Sequence, residues 1–453
     1  MKSKNRREFL KESIGAAGAV AAIGVPGSGR NRSADSASIG KILGANDRIR
    51  VALIGCGGQG RGDLMKMLQM KDIECVALCD VDDEQTAKAA KMVQDRSSTA
   101  PGLMTRDFRK VLELNSLDAV IIGTPDHWHA LPTVLACQAG KDVYVEKPLS
   151  TSIGEGRVMV NAARKYNRVV QMGTQQRSAP HYAEAIEYVK SGKLGKVRLV
   201  RAWAYQDWMG NIPNVPDSDP PSSVDYDMWL GPAPKRAFNK NRYHFNFRWF
   251  WDYAGGLMTD WGAHMIDVAN WGMDVKAPVI ASSAGGKFGF PDDGEETPDT
   301  QQVIWNFPDF SLIWEHAIAI GRGPYDRDHG VEFHGNDATL VIDRGGWEVH
   351  SETQRVNGRS HYRSIGAPRQ SSGGQDYHFL HVKNFVDCMR SRNRPNSDVE
   401  IGHNSMIACH LGNVAFRLGR TVRWDVEKEC FIGDREADKH LMREYRDPWR
   451  LPA

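Results

Sequence analysis

Three side chains have the chemistry to move a proton and to stabilise an oxyanion: Lys147, Asp260 and His264. Asp260 and His264 are four residues apart, a spacing that puts two side chains on one face of a helix. The His264 imidazole titrates near neutral pH and could exchange a proton with a hydroxyl group. The Lys147 ammonium could stabilise the oxygen that loses this proton, or exchange a proton itself if it is partly buried. We therefore predict acid–base chemistry on an alcohol, with these three side chains as catalytic residues.

Simpler interpretations of the same residues remain open. Loop lysines are usually solvated, and an Asp–His pair at this spacing can do no more than stabilise a helix. A metal site built on Asp260 and His264 is disfavoured, because the 15 histidines include no H-E-x-x-H pattern or similar cluster. We predict no bound metal.

A glycine-rich turn lies near the start of the chain. An apolar run over residues 48–54 is typical of a buried parallel strand, and it ends at a G-x-G-x-x-G sequence that opens a helical stretch. The first glycine permits a tight bend, the second lets the backbone approach a pyrophosphate, and the third lets the helix pack closely on the strand. The helix N-terminus then presents N–H groups to the phosphates. The predicted contacts are Gly55, Gly57, Gly58, Gln59, Gly60 and Arg61.

The second predicted strand, 73–79, is followed by Asp80, twenty residues after Gly60. A carboxylate at this place can accept a hydrogen bond from a ribose 2′-hydroxyl and would repel a 2′-phosphate. No arginine follows at 81–83 to compensate. We therefore predict NAD rather than NADP as the cofactor; the alternative is a glycine turn in an unrelated α/β domain.

Strands and helices alternate up to residue 172, which is typical of a doubly wound parallel sheet. In such sheets ligands bind beyond the carboxyl ends of the strands. The sequence thus predicts a Rossmann domain over residues 47–175. His127 and His129, which are among the cofactor contacts predicted at this edge, could instead have a packing role. The predicted cofactor contacts at this edge are Thr124, Pro125, His127, His129, Glu146, Lys147 and Gln175.

Aromatic residues are concentrated in the stretch 203–271, which holds seven of the 13 tryptophans. Aromatic faces stack on the apolar faces of sugar rings, while polar side chains read the hydroxyl groups. Any one of these tryptophans could instead belong to an aromatic core. We predict a sugar-binding wall whose substrate contacts are Lys147, Tyr243, Arg248, Trp251, Asp260 and His264.

Together these motifs resemble the Gfo/Idh/MocA family of glucose–fructose oxidoreductases and inositol dehydrogenases. The resemblance rests on the glycine loop, on Thr124-Pro125 with His129, on Glu146-Lys147-Pro148 and on residues 255–267. It implies a Rossmann domain followed by an α/β domain with a large, mostly antiparallel sheet, here residues 176–453. It also implies a nicotinamide cofactor, a sugar or cyclitol substrate, catalysis by Lys147 and His264 with help from Asp260, and a homodimer or homotetramer formed through that sheet.

Residues 1–38 have the composition of a targeting segment. They carry seven Lys or Arg and three Asp or Glu, and the Arg6-Arg7 pair precedes Phe9-Leu10-Lys11 and a short apolar run. This pattern resembles a twin-arginine export signal; a basic tail is the alternative. The apolar run is too short to cross a bilayer. We expect an exported, periplasmic protein without a membrane anchor, and a net charge of +2 gives it no reason to bind nucleic acid.

Export and NAD dependence together restrict the function. Free NAD is not expected outside the cytosol, so the cofactor must travel with the folded protein and be regenerated in place. We predict an NAD-dependent oxidoreductase that acts on a secondary hydroxyl of a sugar or glycoside, with tightly bound, internally recycled NAD. The alternative is an NAD-assisted glycosidase that oxidises the sugar, eliminates a substituent and returns the hydride. A third class, a non-catalytic sugar- or NAD-binding protein, is disfavoured by the intact catalytic set.

Overall fold

The short apolar runs of the first 175 residues form one parallel sheet. The structure, a computed structural model, describes residues 48–97 and 100–452; the predicted export signal lies outside these residues. Each strand is nearly continuous in burial because helices cover both faces of the sheet. The strand order is β3-β2-β1-β4-β5-β6, which confirms the predicted doubly wound arrangement. The strands are β1 (Ile49–Ile54), β2 (Ile73–Cys79), β3 (Leu103–Thr105), β4 (Ala119–Ile122), β5 (Asp142–Val145) and β6 (Val170–Met172).

Amphipathic helices cover the two faces of this sheet. On one face, Val51 and Leu53 of β1 belong to a core cluster with Leu64 and Val93 from two of the helices. On the other face, Val120 belongs to a separate core cluster. The helices are α1 (Gly58–Met67), α2 (Asp83–Ser97), α3 (Phe108–Leu112), α4 (Ala130–Gln138) and α5 (Ile153–Lys165). Because all six strands are parallel, their carboxyl ends lie at one edge of the sheet, and the glycine turn is at this edge.

The second half of the chain builds a ten-stranded sheet in the order β16-β13-β12-β11-β7-β10-β9-β8-β17-β18. Every pairing is antiparallel except that of β7 with β10, so the predicted mostly antiparallel sheet is confirmed. Burial alternates along the strands, as in Gln301 to Trp305, because only one face meets the core. The strands are β7 (Leu199–Gln206), β8 (Ile280–Gly286), β9 (Thr300–Asn306), β10 (Ser311–Ile318), β11 (His329–His334), β12 (Ala338–Asp343), β13 (Gly346–Ser351), β16 (Ala367–Ser371), β17 (Val422–Asp425) and β18 (Cys430–Phe431).

The polar segment 346–375, which the sequence suggests to be a surface loop, is mostly strand. It contributes β13 and β16 to the large sheet, and between them β14 (Thr353–Val356) and β15 (Arg359–Tyr362) form a separate hairpin. Every residue of this hairpin is exposed. Its two faces are both in water, so no apolar alternation marks it in the sequence.

The remaining helices follow β6 in the chain. In the second half these helices are α6 (Pro180–Lys190), α7 (Tyr226–Leu230), α8 (Gly256–Asp260), α9 (Gly262–Met273), α10 (Tyr377–Ser391), α11 (Val399–Leu418) and α12 (Arg435–Asp438). Phe385 and Val386 of α10 pack in the same core cluster as Leu64 of α1. The end of the chain thus helps to cover the first sheet, while a domain boundary at residues 175/176 remains a prediction. Among the described helices, none is long and apolar enough to cross a membrane.

Candidate active site

The glycine turn between β1 and α1 leaves room for a phosphate. Gly55 has a φ of +90°, and a side chain there would collide with the backbone of Gly123 and Thr124. At Gly60 a Cβ atom would lie 2.2 Å from the carbonyl oxygen of Gly55, so only glycine lets α1 pack this close to the strand. A Cβ atom added at Gly57 or Gly58, in contrast, would have no other part of the described chain within 4 Å, beyond its own neighbours in the turn and helix. This open space at a helix N-terminus fits the pyrophosphate of a dinucleotide.

Asp80, which follows β2, lies beside the same turn at the place where the sequence predicts a ribose contact. Its carboxylate accepts hydrogen bonds from the backbone N–H of Cys56 at 2.6 Å and of Asp82 at 2.9 Å. Burial raises the pKa of Asp80 to about 6, which leaves it ionised at neutral pH. Arg106, which lines the same cleft, makes a two-pronged pair with Asp83 and is not free for a 2′-phosphate. These contacts fit NAD.

A cleft of about 390 Å³ runs along this edge of the first sheet, and we call it the glycine-loop cleft. Most of the predicted cofactor contacts line it. They are Gly55, Gly57, Gly58, Gln59, Asp80, Thr124, Pro125, Glu146 and Lys147. Sequence reasoning missed Asp126, which also lines the cleft and whose pKa is raised to about 7 by burial. Asp126 sits in a short 3₁₀ turn that has no recognisable motif.

Two predicted cofactor contacts behind the glycine turn support it instead of lining the cleft. Gly60 is buried against Gly55. The Arg61 guanidinium donates hydrogen bonds to the carbonyl oxygen of Cys56 and to Gln85 at 2.5 and 2.8 Å. Gln175 lies on the wall of a neighbouring cavity. None of the three lines the cleft, and Gly60 has the helix-packing role that the glycine pattern predicts.

The histidines after Thr124 are packing residues. His127 and His129 are both buried, and burial lowers their pKa values to about 3 and about 4. His127 Nε2 lies 2.9 Å from the carbonyl oxygen of Trp229, and His129 lies 2.6 Å from that of Pro148 and 2.9 Å from that of Thr124. Neither lines the cleft. The structure therefore does not bring either histidine to the cleft. Backbone carbonyls lie beside both ring nitrogens of His129 and beside Nε2 of His127, while Nδ1 of His127 is buried without a partner among the described residues.

Lys147 stands where the glycine-loop cleft meets a second cavity. Its Nζ atom lies 2.6 Å from Oδ1 of Asp260, and the Nε atom of Arg248 lies 3.3 Å from the same oxygen. Burial alone would raise the pKa of Asp260, but Lys147 and Arg248 hold it below its ordinary value. The carboxylate is therefore ionised and keeps both cations in place. This ion pair joins Lys147, at the end of β5, to Asp260 at the end of α8.

His264 lies in the second cavity with Lys147 and Asp260. The expected single helix is broken at Trp261, which separates α8 from α9, yet both Asp260 and His264 face this cavity. No hydrogen bond joins the two. Burial lowers the pKa of His264 well below its ordinary value, and the charges of Lys147 and Arg344 lower it further. The imidazole is neutral at physiological pH and can accept a proton.

The second cavity, about 510 Å³, shares a wall with the glycine-loop cleft, and we call it the adjoining pocket. Its lining combines the predicted catalytic residues with aromatic and charged side chains. Those lining it are Gln59, Lys66, Glu146, Lys147, Gln175, Trp208, Phe245, Arg248, Asp260, Trp261, His264, Arg344, Gln375, Asp376, Tyr377 and His378. Among the described residues, no three His, Cys, Asp or Glu side chains are grouped as a metal site.

Two of the predicted substrate contacts lie elsewhere. Tyr243 lines the glycine-loop cleft, where its hydroxyl donates to Asp82 at 3.2 Å. Trp251 lines neither cavity; its indole N–H donates to the carbonyl oxygen of Glu296 at 3.0 Å. Neither residue lines the adjoining pocket, so the structure does not bring them to the other predicted substrate contacts. Trp208 and Arg344 line this pocket, and the position of Arg344 in a turn after β12 leaves no local signal in the sequence.

Two family models match the chain. The model for "Oxidoreductase family, NAD-binding Rossmann fold" matches residues 49–174, and that for "Oxidoreductase family, C-terminal alpha/beta domain" matches residues 189–284 and 378–451. Both belong to the Gfo/Idh/MocA group, and together they cover well over half of the chain.

Curated proteins and solved structures agree with this. The chain is 23% identical to scyllo-inositol 2-dehydrogenase (NAD(+)) of Bacillus subtilis over 72% of this chain and 82% of that protein. It is 26% identical to a glycosyl hydrolase family 109 protein of Shewanella pealeana, over 43% of this chain and less than half, 44%, of that protein. Aldose–aldose oxidoreductase from Caulobacter crescentus superposes with a TM-score of 0.62 at 19% identity, covering 83% of this chain and 99% of that structure. The chain therefore belongs to the Gfo/Idh/MocA oxidoreductase family and has its NAD-binding Rossmann domain.

Proposed function

We propose that this protein oxidises a secondary hydroxyl group of a sugar or glycoside with tightly bound NAD that is recycled within the site. The observation that carries the proposal is the position of Lys147. Its ammonium lies on the wall between the glycine-loop cleft and the adjoining pocket, paired at 2.6 Å with Asp260 and in one pocket with neutral His264. A cofactor in the cleft and an alcohol in the pocket would meet beside these groups.

Each residue of this set has one task. Bound NAD supplies the hydride acceptor. Lys147 holds the hydroxyl oxygen of the substrate and stabilises the negative charge that develops on it. Asp260 keeps the Lys147 ammonium in place. His264, which is neutral, accepts the hydroxyl proton.

The mouth of the adjoining pocket suits a sugar ring. Trp208 and Phe245 are 57% and 47% exposed, and their rings meet edge to face with centroids 5.9 Å apart. Large aromatic side chains in water at a pocket mouth are available to stack on the apolar face of a sugar. The inositol dehydrogenase and aldose–aldose oxidoreductase relatives also act, by their names, on polyhydroxylated rings or sugars. A sugar or glycoside is therefore the substrate class we propose.

Tight retention of NAD is supported by a roof over the glycine-loop cleft. Met228, Trp229 and Phe247, all from the segment after β7, line the cleft opposite the glycine turn. The segment is fastened to the first sheet at Asp82: the Tyr243 hydroxyl donates to it at 3.2 Å, and His244 Nε2 lies 3.0 Å from it. A cofactor under this roof leaves only after these contacts open.

Retained NAD also suits the twin-arginine sequence of residues 1–38, since that route carries folded proteins. We propose export to the periplasm with the cofactor already bound. We further propose a homodimer or homotetramer formed through the ten-stranded sheet, one face of which exposes side chains such as Ile304.

A second candidate function is an NAD-assisted glycosidase. The relative named a glycosyl hydrolase family 109 protein favours it. In such a reaction the sugar would be oxidised, the aglycone would be eliminated as its alcohol, water would add to the resulting double bond, and the hydride would return to the sugar ketone. The same Lys147 and His264 would serve its oxidation step.

One experiment separates these functions. Purified protein is denatured and the supernatant is assayed for NAD; separate samples are incubated with free sugars and with aryl glycosides. A change in nicotinamide absorbance with a free sugar supports the oxidoreductase, and aglycone release without added oxidant supports the glycosidase. Both proposed functions are overturned if the protein carries NAD and binds sugars, but neither changes nicotinamide absorbance nor releases aglycone, and Lys147→Met binds NAD and sugars as the wild type does.

A further inference from the structure

Arg344 is a half-buried cation that has no carboxylate partner among the described residues of the adjoining pocket. It lies in the turn between β12 and β13, with its guanidinium carbon 4.7 Å from the centroid of the Trp261 ring. Its Nε–H group is buried and donates to no acceptor among the described residues. A guanidinium stacked on an aromatic wall is held in one orientation and keeps its N–H groups free for a ligand.

The nearest carboxylate in the chain is not available to Arg344. Asp343, its neighbour, accepts the backbone N–H groups of Gly345 and Gly346 at 2.6 and 3.0 Å. It also pairs with Arg369 at 2.6 Å and with Arg327 at 3.0 Å. Asp343 is thereby saturated, and the positive charge of Arg344 is left for the pocket.

The pocket as a whole has more positive than negative charge. Asp260 is shared by Lys147 and Arg248, and Asp376 is paired with Lys66 at 2.5 Å. Glu146, the remaining acid of the lining, has its pKa raised to about 8 by burial and is protonated at neutral pH. Four cationic side chains therefore face two ionised carboxylates.

The phosphates of a dinucleotide do not account for this excess. Arg344 and Lys66 line the adjoining pocket but not the glycine-loop cleft, which holds the open space above Gly57 and Gly58. The unpaired charge is on the substrate side. We propose that the substrate is an acidic sugar, whose anionic group is bound by Arg344 while its hydroxyl group meets Lys147. This inference rests on the proposed function and narrows its substrate class.

The test is a comparison of matched ligands by titration calorimetry on the full-length protein saturated with NAD. The pairs are D-glucuronate with D-glucose and D-galacturonate with D-galactose, and glucose 6-phosphate and glucose 6-sulfate identify the kind of anion. We expect at least one acidic sugar to bind more tightly than its neutral counterpart. In Arg344→Gln its dissociation constant should rise roughly 10- to 100-fold, as for the loss of a charge-assisted pair, with the neutral sugar changed less than about 2-fold.

Arg417→Gln is the matched control, because Arg417 also lies over a tryptophan ring, that of Trp251 at 5.0 Å, but lines neither cavity. Arg344→Lys keeps the charge and should restore part of the affinity, which also covers the case in which Arg344→Gln does not fold. No tighter binding of any acidic sugar, or a preference that survives in Arg344→Gln, overturns the inference.

Failure of this inference is distinguishable from failure of the proposed function. If the protein oxidises neutral sugars and does not prefer acidic ones, the proposal of an acidic substrate is excluded and the proposed oxidoreductase function stands. If an acidic sugar binds in an Arg344-dependent way but no sugar tried transfers a hydride to NAD, only the oxidoreductase activity is excluded.

Discussion

The Lys147 ammonium and the Asp260 carboxylate lie 2.6 Å apart although 113 residues separate them in the chain. Both side chains are largely buried, and Arg248 shares the Asp260 carboxylate, so each buried charge has an opposite charge beside it. The ion pair therefore joins the end of β5 in the first sheet to the end of α8 in the second half of the chain. It also holds a cation beside both cavities.

Replacement of Lys147 by methionine should remove activity without removing the cofactor. The side chain keeps its length but loses the charge that stabilises the substrate oxygen, and we expect kcat to fall by about 10²- to 10⁴-fold. The NAD content, measured after denaturation, should stay the same. The control is Lys383→Met, which breaks a lysine–aspartate pair of the same length on the exposed side of α10. Equal kcat values in the wild type and Lys147→Met would contradict the role of Lys147.

His264 should act as a base over a wide pH range. Because the pKa of its imidazole lies well below the ordinary value, the side chain stays neutral from pH 6 to pH 8. We therefore expect His264→Asn to lower kcat by roughly 10²-fold or more at every pH in this range. The measurement is kcat against pH for both proteins. A wild-type activity that drops with a midpoint near pH 6.5, and does so no longer in the variant, would show that His264 titrates normally.

Glu146 should make the protein less stable as the pH rises. Its folded-state pKa is raised from 4.5 to about 8 by burial and by Asp63, so between these values the folded protein holds a proton that the unfolded chain has lost. The free energy of unfolding of the wild type should fall relative to Glu146→Gln across this window, by about 1.4 kcal/mol per pH unit at most. Urea unfolding at pH 5, 6, 7 and 8 measures this. Glu113→Gln, at the exposed end of α3, is the control, and a stability difference independent of pH would disprove the raised pKa.

Two glycines of the turn should respond differently to alanine. At Gly60 the new Cβ atom meets the carbonyl oxygen of Gly55 at 2.2 Å, so the variant should lose about 1–3 kcal/mol of stability. At Gly57 nothing lies within 4 Å and φ is −64°, so the fold should be kept while the methyl group intrudes on the phosphates. Thermal unfolding and NAD content, measured on both variants, should therefore change independently. A Gly57→Ala protein that retains all of its NAD would place the pyrophosphate elsewhere.

Loss of the Tyr243 hydroxyl should loosen the roof of the glycine-loop cleft. Tyr243→Phe removes the hydrogen bond to Asp82 and leaves the ring in place, so NAD should dissociate roughly 3- to 10-fold faster, as expected for one such bond. Stopped-flow or dilution measurements of NAD release provide the rate. Tyr226→Phe removes a hydroxyl of the same segment, bonded to the carbonyl oxygen of Ala237, and should leave release unchanged. Equal release rates in all three proteins would mean that the roof does not retain the cofactor.

The glycine turn, Asp80 and the strand end at Glu146 and Lys147 could be located from the sequence alone. Each depends on a local pattern: an apolar run gives a buried strand, and short-range sterics decide which residue can follow it. The order of these strands follows from the alternation of strands and helices. The resemblance to a family predicted that Lys147, Asp260 and His264 belong to one catalytic set, but the ion pair of Lys147 with Asp260 is seen only in the folded chain.

Other parts of the site were decided by the tertiary structure. Tyr243 and Trp251 lie in one aromatic stretch, yet Tyr243 roofs the cleft and Trp251 is held outside both cavities by Glu296. His129 follows a strand end, but carbonyl groups nearby in space use its ring nitrogens. Composition and spacing determined which segments form strands and helices, because those choices depend on neighbours in the chain. Which side chains line the adjoining pocket, Arg344 among them, depends on packing between residues that are a hundred positions apart, and only the folded chain brings those together.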